Sequence, residues 1–240
     1  MIPTIDVPTY DLKLPSNGKE VKVRPFLVKE EKLLLMAVST DDAQEIIKTT
    51  KQVINNCLIS KDVNIDTLPF FDVDYLFIAL RAKSVGEKIS VGYVCLTKTD
   101  GIECGGKFKV DLDISNIAVV KDDSIEMDIA FNDDLIFRMK YPSYSVIKSI
   151  TEKDTSIEKT IKIVAACIER VFTKGQYYTS KDMTPDEMAS LVESLTNEQF
   201  MKLEEFTKNF PYFEVIGSGN CTKCGKTHSV RYNDFVSFFQ

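Results

Sequence analysis

The sequence predicts an α+β protein, built from antiparallel β-hairpins with flanking helices. Three observations carry that expectation: an opening hairpin pattern, a middle third with period-two alternation, and long apolar stripes at helical spacing on either side of it.

The hairpin comes first. Tyr10, Leu12 and Leu14 alternate with polar residues, Pro15-Ser16-Asn17-Gly18 supplies turn chemistry, and Val21 and Val23 resume the alternation. From Val28 to Val38 the run Lys29-Glu30-Glu31-Lys32-Leu33-Leu34-Leu35-Met36 is rich in strong helix formers. A second helix is expected from Asp42 to Ile59, with Ile46, Val53, Ile54 and Cys57 on its apolar side, and a third from Asp72 to Lys83.

The period then changes. Lys88–Val94 and Lys107–Ile114 read as strands, as do Ser124–Ile129 and Leu135–Met139, joined by the turn Asn132-Asp133-Asp134. One wet and one apolar face on each strand implies an antiparallel sheet. Pro142 ends it, because proline has no N–H for a ladder. Ser156 to Phe172 returns to helical spacing, with Ile161, Val164, Ile168 and Val171 in one stripe. Thr184-Pro185-Asp186-Glu187 and Thr196-Asn197-Glu198-Gln199 both carry a capping-box start. After Pro211 come a strand over Tyr212–Ile216, a cysteine turn, a strand over His228–Tyr232 and an aromatic tail, Phe235, Phe238 and Phe239. With no repeat and no linker-like stretch, residues 1–240 are expected to form one α+β body.

The cysteine turn is the strongest chemical signal. Cys221-Thr222-Lys223-Cys224-Gly225 sets two thiols two residues apart before a glycine, which is half of a tetrahedral thiolate site. Cys95 and Cys104-Gly105-Gly106, each at the end of an expected strand, offer a second pair. Convergence of Cys95, Cys104, Cys221 and Cys224 would make a structural zinc site. The fold class therefore includes a discontinuous zinc-ribbon-like element from two hairpins, residues 88–112 plus 212–232. His228, the only histidine, lies four residues after Cys224 and is a competing ligand. A redox pair would sit at a helix start after a strand, whereas strands flank Cys221 and Cys224 on both sides. Cys57 and Cys167 fall on apolar helix faces and read as core thiols.

Composition restricts function further. Thirty basic against thirty-six acidic residues give a net charge of −6, which argues against a protein devoted to nucleic-acid phosphates. No apolar run is long enough to span a bilayer, and Met1–Asp6 lacks the features of a signal peptide. Cysteines in such a chain point to a reducing compartment, the cytoplasm, where metal is favoured over disulfide. One histidine leaves little for metal or nucleophilic catalysis, and Gly217-Ser218-Gly219 is followed by no helix that could cradle phosphate. No catalytic site and no cofactor-binding site beyond the zinc is expected.

Leu14-Pro15-Ser16-Asn17-Gly18, followed by Val21-Lys22-Val23-Arg24-Pro25-Phe26-Leu27 and the helix start Val28 to Ala37, resembles the N-terminal signature of the T4-like bacteriophage base plate protein family. The middle, with Cys95, Cys104-Gly105-Gly106 and Leu135 to Tyr141-Pro142-Ser143, is also similar to that family. The similarity covers roughly the first 150 residues. It implies a non-enzymatic component or assembly factor of the base plate hub of a contractile tail, made in the host cytoplasm. Its partners would be other tail and hub proteins in a multi-protein assembly. A competing expectation is a zinc-ribbon adaptor for nucleic acid or a transcription complex, for which Lys223, Lys226 and Arg231 are a small basic footprint. Arg24-Pro25-Phe26-Leu27 reads as a strand-to-helix junction packed on the core before it reads as a docking edge. The aromatic tail reads equally as packing or as an anchor for a partner.

Overall fold

A computed structural model describes residues 6–40, 42–99, 101–115, 117–149 and 154–232. In chain order the elements are β1 (Tyr10–Lys13), β2 (Glu20–Val23), α1 (Val28–Val38), α2 (Ala43–Cys57), α3 (Phe70–Ser84), β3 (Lys88–Val94), β4 (Lys98–Thr99), β5 (Ile102–Glu103) and β6 (Lys107–Asp113). They continue with β7 (Val119–Val120), β8 (Asp128–Asn132), β9 (Leu135–Met139), α4 (Tyr144–Ser149), α5 (Ser156–Cys167), β10 (Ile168–Thr173) and β11 (Gln176–Thr179). The last are α6 (Pro185–Glu193), α7 (Asn197–Lys208), β12 (Tyr212–Phe213), β13 (Val215–Asn220) and β14 (Thr227–Tyr232). All strand pairs among the described residues are antiparallel, as an α+β chain with hairpin signals requires. Among the described residues no helix is long and apolar enough to cross a membrane.

Chain contacts divide the protein into two compact units. The first comprises the described residues of Met1–Val63, Phe71–Val120 and Tyr212–Gln240, the second Asn64–Phe70 and Lys121–Pro211.

In the first unit the β1–β2 hairpin closes through Gly18, whose φ of +70° is the left-handed geometry that glycine adopts without a Cβ penalty. The Ser16 N–H and hydroxyl both donate to the buried Asp72 carboxylate at the start of α3, which ties the turn to that helix. Leu14, Val21, Val23, Val53, Ile54 and Phe77 are buried in the core. The Arg24-Pro25-Phe26 step is the junction into α1. Glu30 is fully buried and accepts from Arg24 Nη2 at 3.0 Å and from the Leu27 N–H at 2.8 Å. Phe26 packs on Phe77 at 6.0 Å between ring centroids. The same unit holds a four-stranded sheet in the order β14-β13-β6-β3.

The second unit is a sheet in the order β11-β10-β9-β8, with α5 packed against α6 and α7. Phe137, Met139, Val164, Ile168, Leu203 and Phe206 are central to its core. Cys167 is enclosed there, and burial pushes its thiol up to about 12, so it is inert packing. Thr155 caps α5: its hydroxyl accepts from the Glu158 N–H at 3.3 Å, and the Glu158 carboxylate takes the Thr155 N–H at 2.7 Å. Thr155→Ala removes one half of that exchange. It is expected to lower unfolding free energy by about 1 kcal/mol in urea titration.

Several element boundaries differ from the sequence expectation by a residue or two, the strand expected over Tyr212–Ile216 is split into β12 and a β13 that runs on to Asn220, and two further differences are larger. The helix expected over Ser156 to Phe172 stops at Cys167, and the chain continues as β10. Lys174 and Gly175, at φ +50° and +76°, then form a two-residue hairpin turn into β11, which the sequence reading did not contain. The strand expected over Ser124–Ile129 begins only at Asp128, because the Asp122 carboxylate accepts the Ser124 N–H and hydroxyl and holds a turn. The aromatic tail Phe235, Phe238 and Phe239 lies outside the described residues.

Candidate metal centre

Two short loops carry the four cysteines. Cys95 follows β3, and its N–H donates to the Gly106 carbonyl at 2.7 Å. The Gly105 N–H returns to the Cys95 carbonyl at 3.0 Å, and the Cys104 N–H reaches the Thr97 carbonyl at 2.8 Å. These bonds fold residues 95–106 into a knuckle whose tip is the β4–β5 ribbon. The eight residues between Cys95 and Cys104, loose spacing for a cysteine pair, are taken up by that ribbon.

The second loop is tighter. β13 and β14 pair over their whole length, and the Cys221 N–H donates to the Lys226 carbonyl at 2.9 Å. The Gly225 N–H donates to the Cys221 carbonyl at 3.0 Å, and Gly225 has φ +72°. Thr222 joins the loops, its N–H and hydroxyl both donating to the Lys107 carbonyl, at 3.2 and 2.8 Å. Lys223 Nζ donates to the Cys104 carbonyl at 2.7 Å.

These bonds bring all four expected sulfurs together. Cys95 and Cys224 lie 3.8 Å apart and Cys104 and Cys221 3.7 Å apart, and all four fall within 4.8 Å of one another. Cys95 and Cys221 are buried, Cys104 is partly exposed and Cys224 is exposed. Close packing of the loops depends on Gly106: a Cβ there would stand 2.5 Å from Cys221 Sγ and 2.7 Å from Lys223 Cβ.

Hydrogen bonds aimed at sulfur favour the thiolate at Cys221 and Cys95. The Cys224 N–H, then the Lys223 N–H, lower Cys221 to about 6. The Thr97 hydroxyl and N–H hold Cys95 below the usual thiol range. Cys104 goes the other way: the Gly106 N–H pulls it down, but burial and the neighbouring sulfurs outweigh that and push it to about 11. Four sulfurs this close cannot all carry charge without a cation between them, since like charges in one site raise one another. The cluster is compatible with a metal site.

Cys57 stands apart from it, buried against Arg24 and pushed up to about 11 by its burial. His228, the competing ligand, is outside the group of four mutually close atoms but touches it, with Nε2 3.2 Å from Cys95 Sγ. Its ring stacks on Phe108 at 4.5 Å and 15°. That stack was hidden in the sequence, because it requires β6 and β14 to be neighbours across the glycines of β13. Gly219 is the only kind of residue that fits: a Cβ there would lie 2.0 Å from the Lys109 carbonyl oxygen and 3.1 Å from the Phe108 ring.

A family model described as T4 bacteriophage base plate protein matches residues 7–240. The match therefore includes the cysteine turn and the helices of the last third, beyond the segments whose resemblance is legible by eye. No curated protein and no solved structure matches the chain.

Proposed function

The chain belongs to the T4 bacteriophage base plate protein family, and from that membership we propose a non-enzymatic structural or assembly protein of the base plate hub of a contractile tail, clasped by one structural zinc. The observation that carries the proposal is the match over 7–240, nearly the whole chain. A base plate protein is a structural phage tail protein and part of a multi-protein assembly. Placement in the hub, assembly in the host cytoplasm and contact with other hub proteins are the finer reading.

For the metal, the four thiolates of Cys95, Cys104, Cys221 and Cys224 are the donor set. Zinc bonds sulfur at about 2.3 Å, which gives a tetrahedron with edges of about 3.8 Å. The two closest sulfur pairs, at 3.8 and 3.7 Å, fit that edge. Four protein ligands leave no open position, so the metal would supply fold stability rather than a reactive water. It would join residues 88–112 and 212–232 into a zinc-ribbon-like element, tying Cys104 to Cys221 and Cys95 to Cys224 across 117 and 129 residues of chain.

Elemental analysis of the purified protein is expected to give one zinc per chain, lost in both Cys104→Ser and Cys221→Ser. Full zinc in Cys104→Ser would sink the convergent site. For the assembly role, base plates isolated from infected cells are expected to contain the protein or to fail to form without it. Normal base plates that neither contain nor require it would overturn the reading.

A further inference from the structure

His228 is the single histidine of the chain, and its position is built rather than incidental. It pairs with Gly219 across β13 and β14, and the bare glycine leaves the space into which Phe108 of β6 extends. Phe108 is itself stacked on Tyr93 of β3, at 5.5 Å and 24°. Phe108, backed by Tyr93, thus fixes the imidazole plane, and the edge of that plane places Nε2 at 3.2 Å from Cys95 Sγ.

A thiolate bound to a metal has lone pairs to spare and no proton to give. Against Cys95 in that state, the only hydrogen bond open to Nε2 is one in which the imidazole donates. Four thiolates around a divalent cation carry a net charge of −2, and Cys95 is fully buried, so donors to its sulfur offset a real desolvation cost. The Cys221 sulfur receives N–H groups of its own turn. Cys95 is the ligand that also faces a side chain from a separate strand.

We propose that His228 is a positioning residue, which donates its Nε2–H to the Cys95 thiolate and slows loss of the metal without ligating it. This rests on the four-cysteine reading above and assigns what regulates metal retention at that site. The same geometry explains why the ring is held by stacking: a donor of one hydrogen bond needs a fixed direction, and Phe108 supplies it.

The test uses the full-length zinc-loaded protein, with His228→Phe, His228→Gln and Cys104→Ser. Zinc per chain is measured first, then the rate of zinc transfer to a coloured chelator in excess. His228→Phe preserves a stacked ring and removes the donor. It is expected to retain one zinc per chain and to release it about 10–100-fold faster than wild type, the usual effect of deleting an outer-sphere partner. His228→Gln, with an amide N–H, is expected to fall between the two. Cobalt-substituted His228→Phe should keep the absorption spectrum of a four-sulfur tetrahedral site. Isolation of His228→Phe without zinc, like Cys104→Ser, would make the histidine a ligand and overturn the proposal. Release at the wild-type rate would reduce it to packing. A wild-type protein that binds neither zinc nor cobalt would instead remove the metal centre, and the proposal with it.

Discussion

Gly106→Ala is expected to yield a protein that has all four cysteines and no zinc. A Cβ at position 106 would sit 2.5 Å from Cys221 Sγ, 2.7 Å from Lys223 Cβ and 3.3 Å from Cys104 Sγ. Two of those atoms are sulfurs of the proposed metal site, and the third is a backbone-proximal carbon of the cysteine turn. None is the free end of a flexible chain. Ordinary carbon contacts begin near 3.5 Å, so the loops must separate by about an ångström. A tetrahedron of bonds about 2.3 Å long does not tolerate that. Structural zinc contributes apparent binding energies of about 10–16 kcal/mol in small finger peptides, so its loss outweighs any other consequence of adding one methyl group.

Gly105→Ala is the control. Gly105 has φ +63° with nothing within 4 Å of an added Cβ, so alanine there is expected to cost about 1–2 kcal/mol of backbone strain and keep the metal. Elemental analysis and thermal unfolding with and without chelator distinguish the two variants. Chelator should lower Tm in wild type and Gly105→Ala and leave Gly106→Ala unmoved. A Gly106→Ala protein with one tightly held zinc would sink the close-packed knuckle.

The meeting of Cys95, Cys104, Cys221 and Cys224 was legible in the sequence as an expectation, and the packing that produces it was not. Cys221 and Cys224 announce a turn by spacing alone, and Gly225 confirms its backbone. What brings Cys95 and Cys104 to them is β6 lying beside β13, which depends on Gly217 and Gly219. A Cβ at Gly217 would strike Leu112 and Val110 at 2.5 Å, and one at Gly219 the Lys109 carbonyl. In one dimension Gly217-Ser218-Gly219 reads only as a loop. Local signals fared better: the bounds expected for α1 and β3 are those observed, and Thr184 and Thr196 cap the helices they announce.

The misreading at Ile168 has a specific cause. Val164, Ile168 and Val171 keep helical spacing by coincidence, while the chain has already turned to β10 with a bulge between Ile168 and Arg170. The signal that could have found it is Lys174-Gly175, a hairpin turn flanked by Phe172, Thr173 and two tyrosines. The division into two units is equally silent in composition. The chain leaves the first unit after Val120 and returns at Tyr212, and these crossing points pair with each other as β7 and β12. A return through paired strands needs no linker, so none was there to read.

Arg24→Met is expected to cost about 3–5 kcal/mol near neutral pH, the usual penalty for removing one partner of a buried ion pair. Glu30 is fully buried, and Arg24, about one-fifth exposed, supplies its charge partner at 3.0 Å. Burial alone would raise the Glu30 carboxyl, but the Arg24 hydrogen bond, the Leu27 N–H and the charges of Arg24 and Lys29 together bring it below its ordinary value. The sign of the pH dependence follows. A depressed carboxylate contributes stability that is fully present above the unfolded value of about 4.3 and is lost as pH falls through the folded one. In Arg24→Met burial is opposed only by the Leu27 N–H and the exposed Lys29, so Glu30 takes up a proton more readily than in wild type. The difference between wild type and variant should therefore be largest near neutral pH and shrink by about pH 3. The double variant Arg24→Met/Glu30→Leu removes both charges and is expected to be more stable than Arg24→Met alone, because no unpaired buried charge remains, although the Leu27 N–H loses its acceptor. Guanidinium unfolding at the two pH values measures all three. A wild-type-to-variant difference that stays constant with pH would show that Arg24 acts through its packing against Cys57 and Pro25, and not through Glu30.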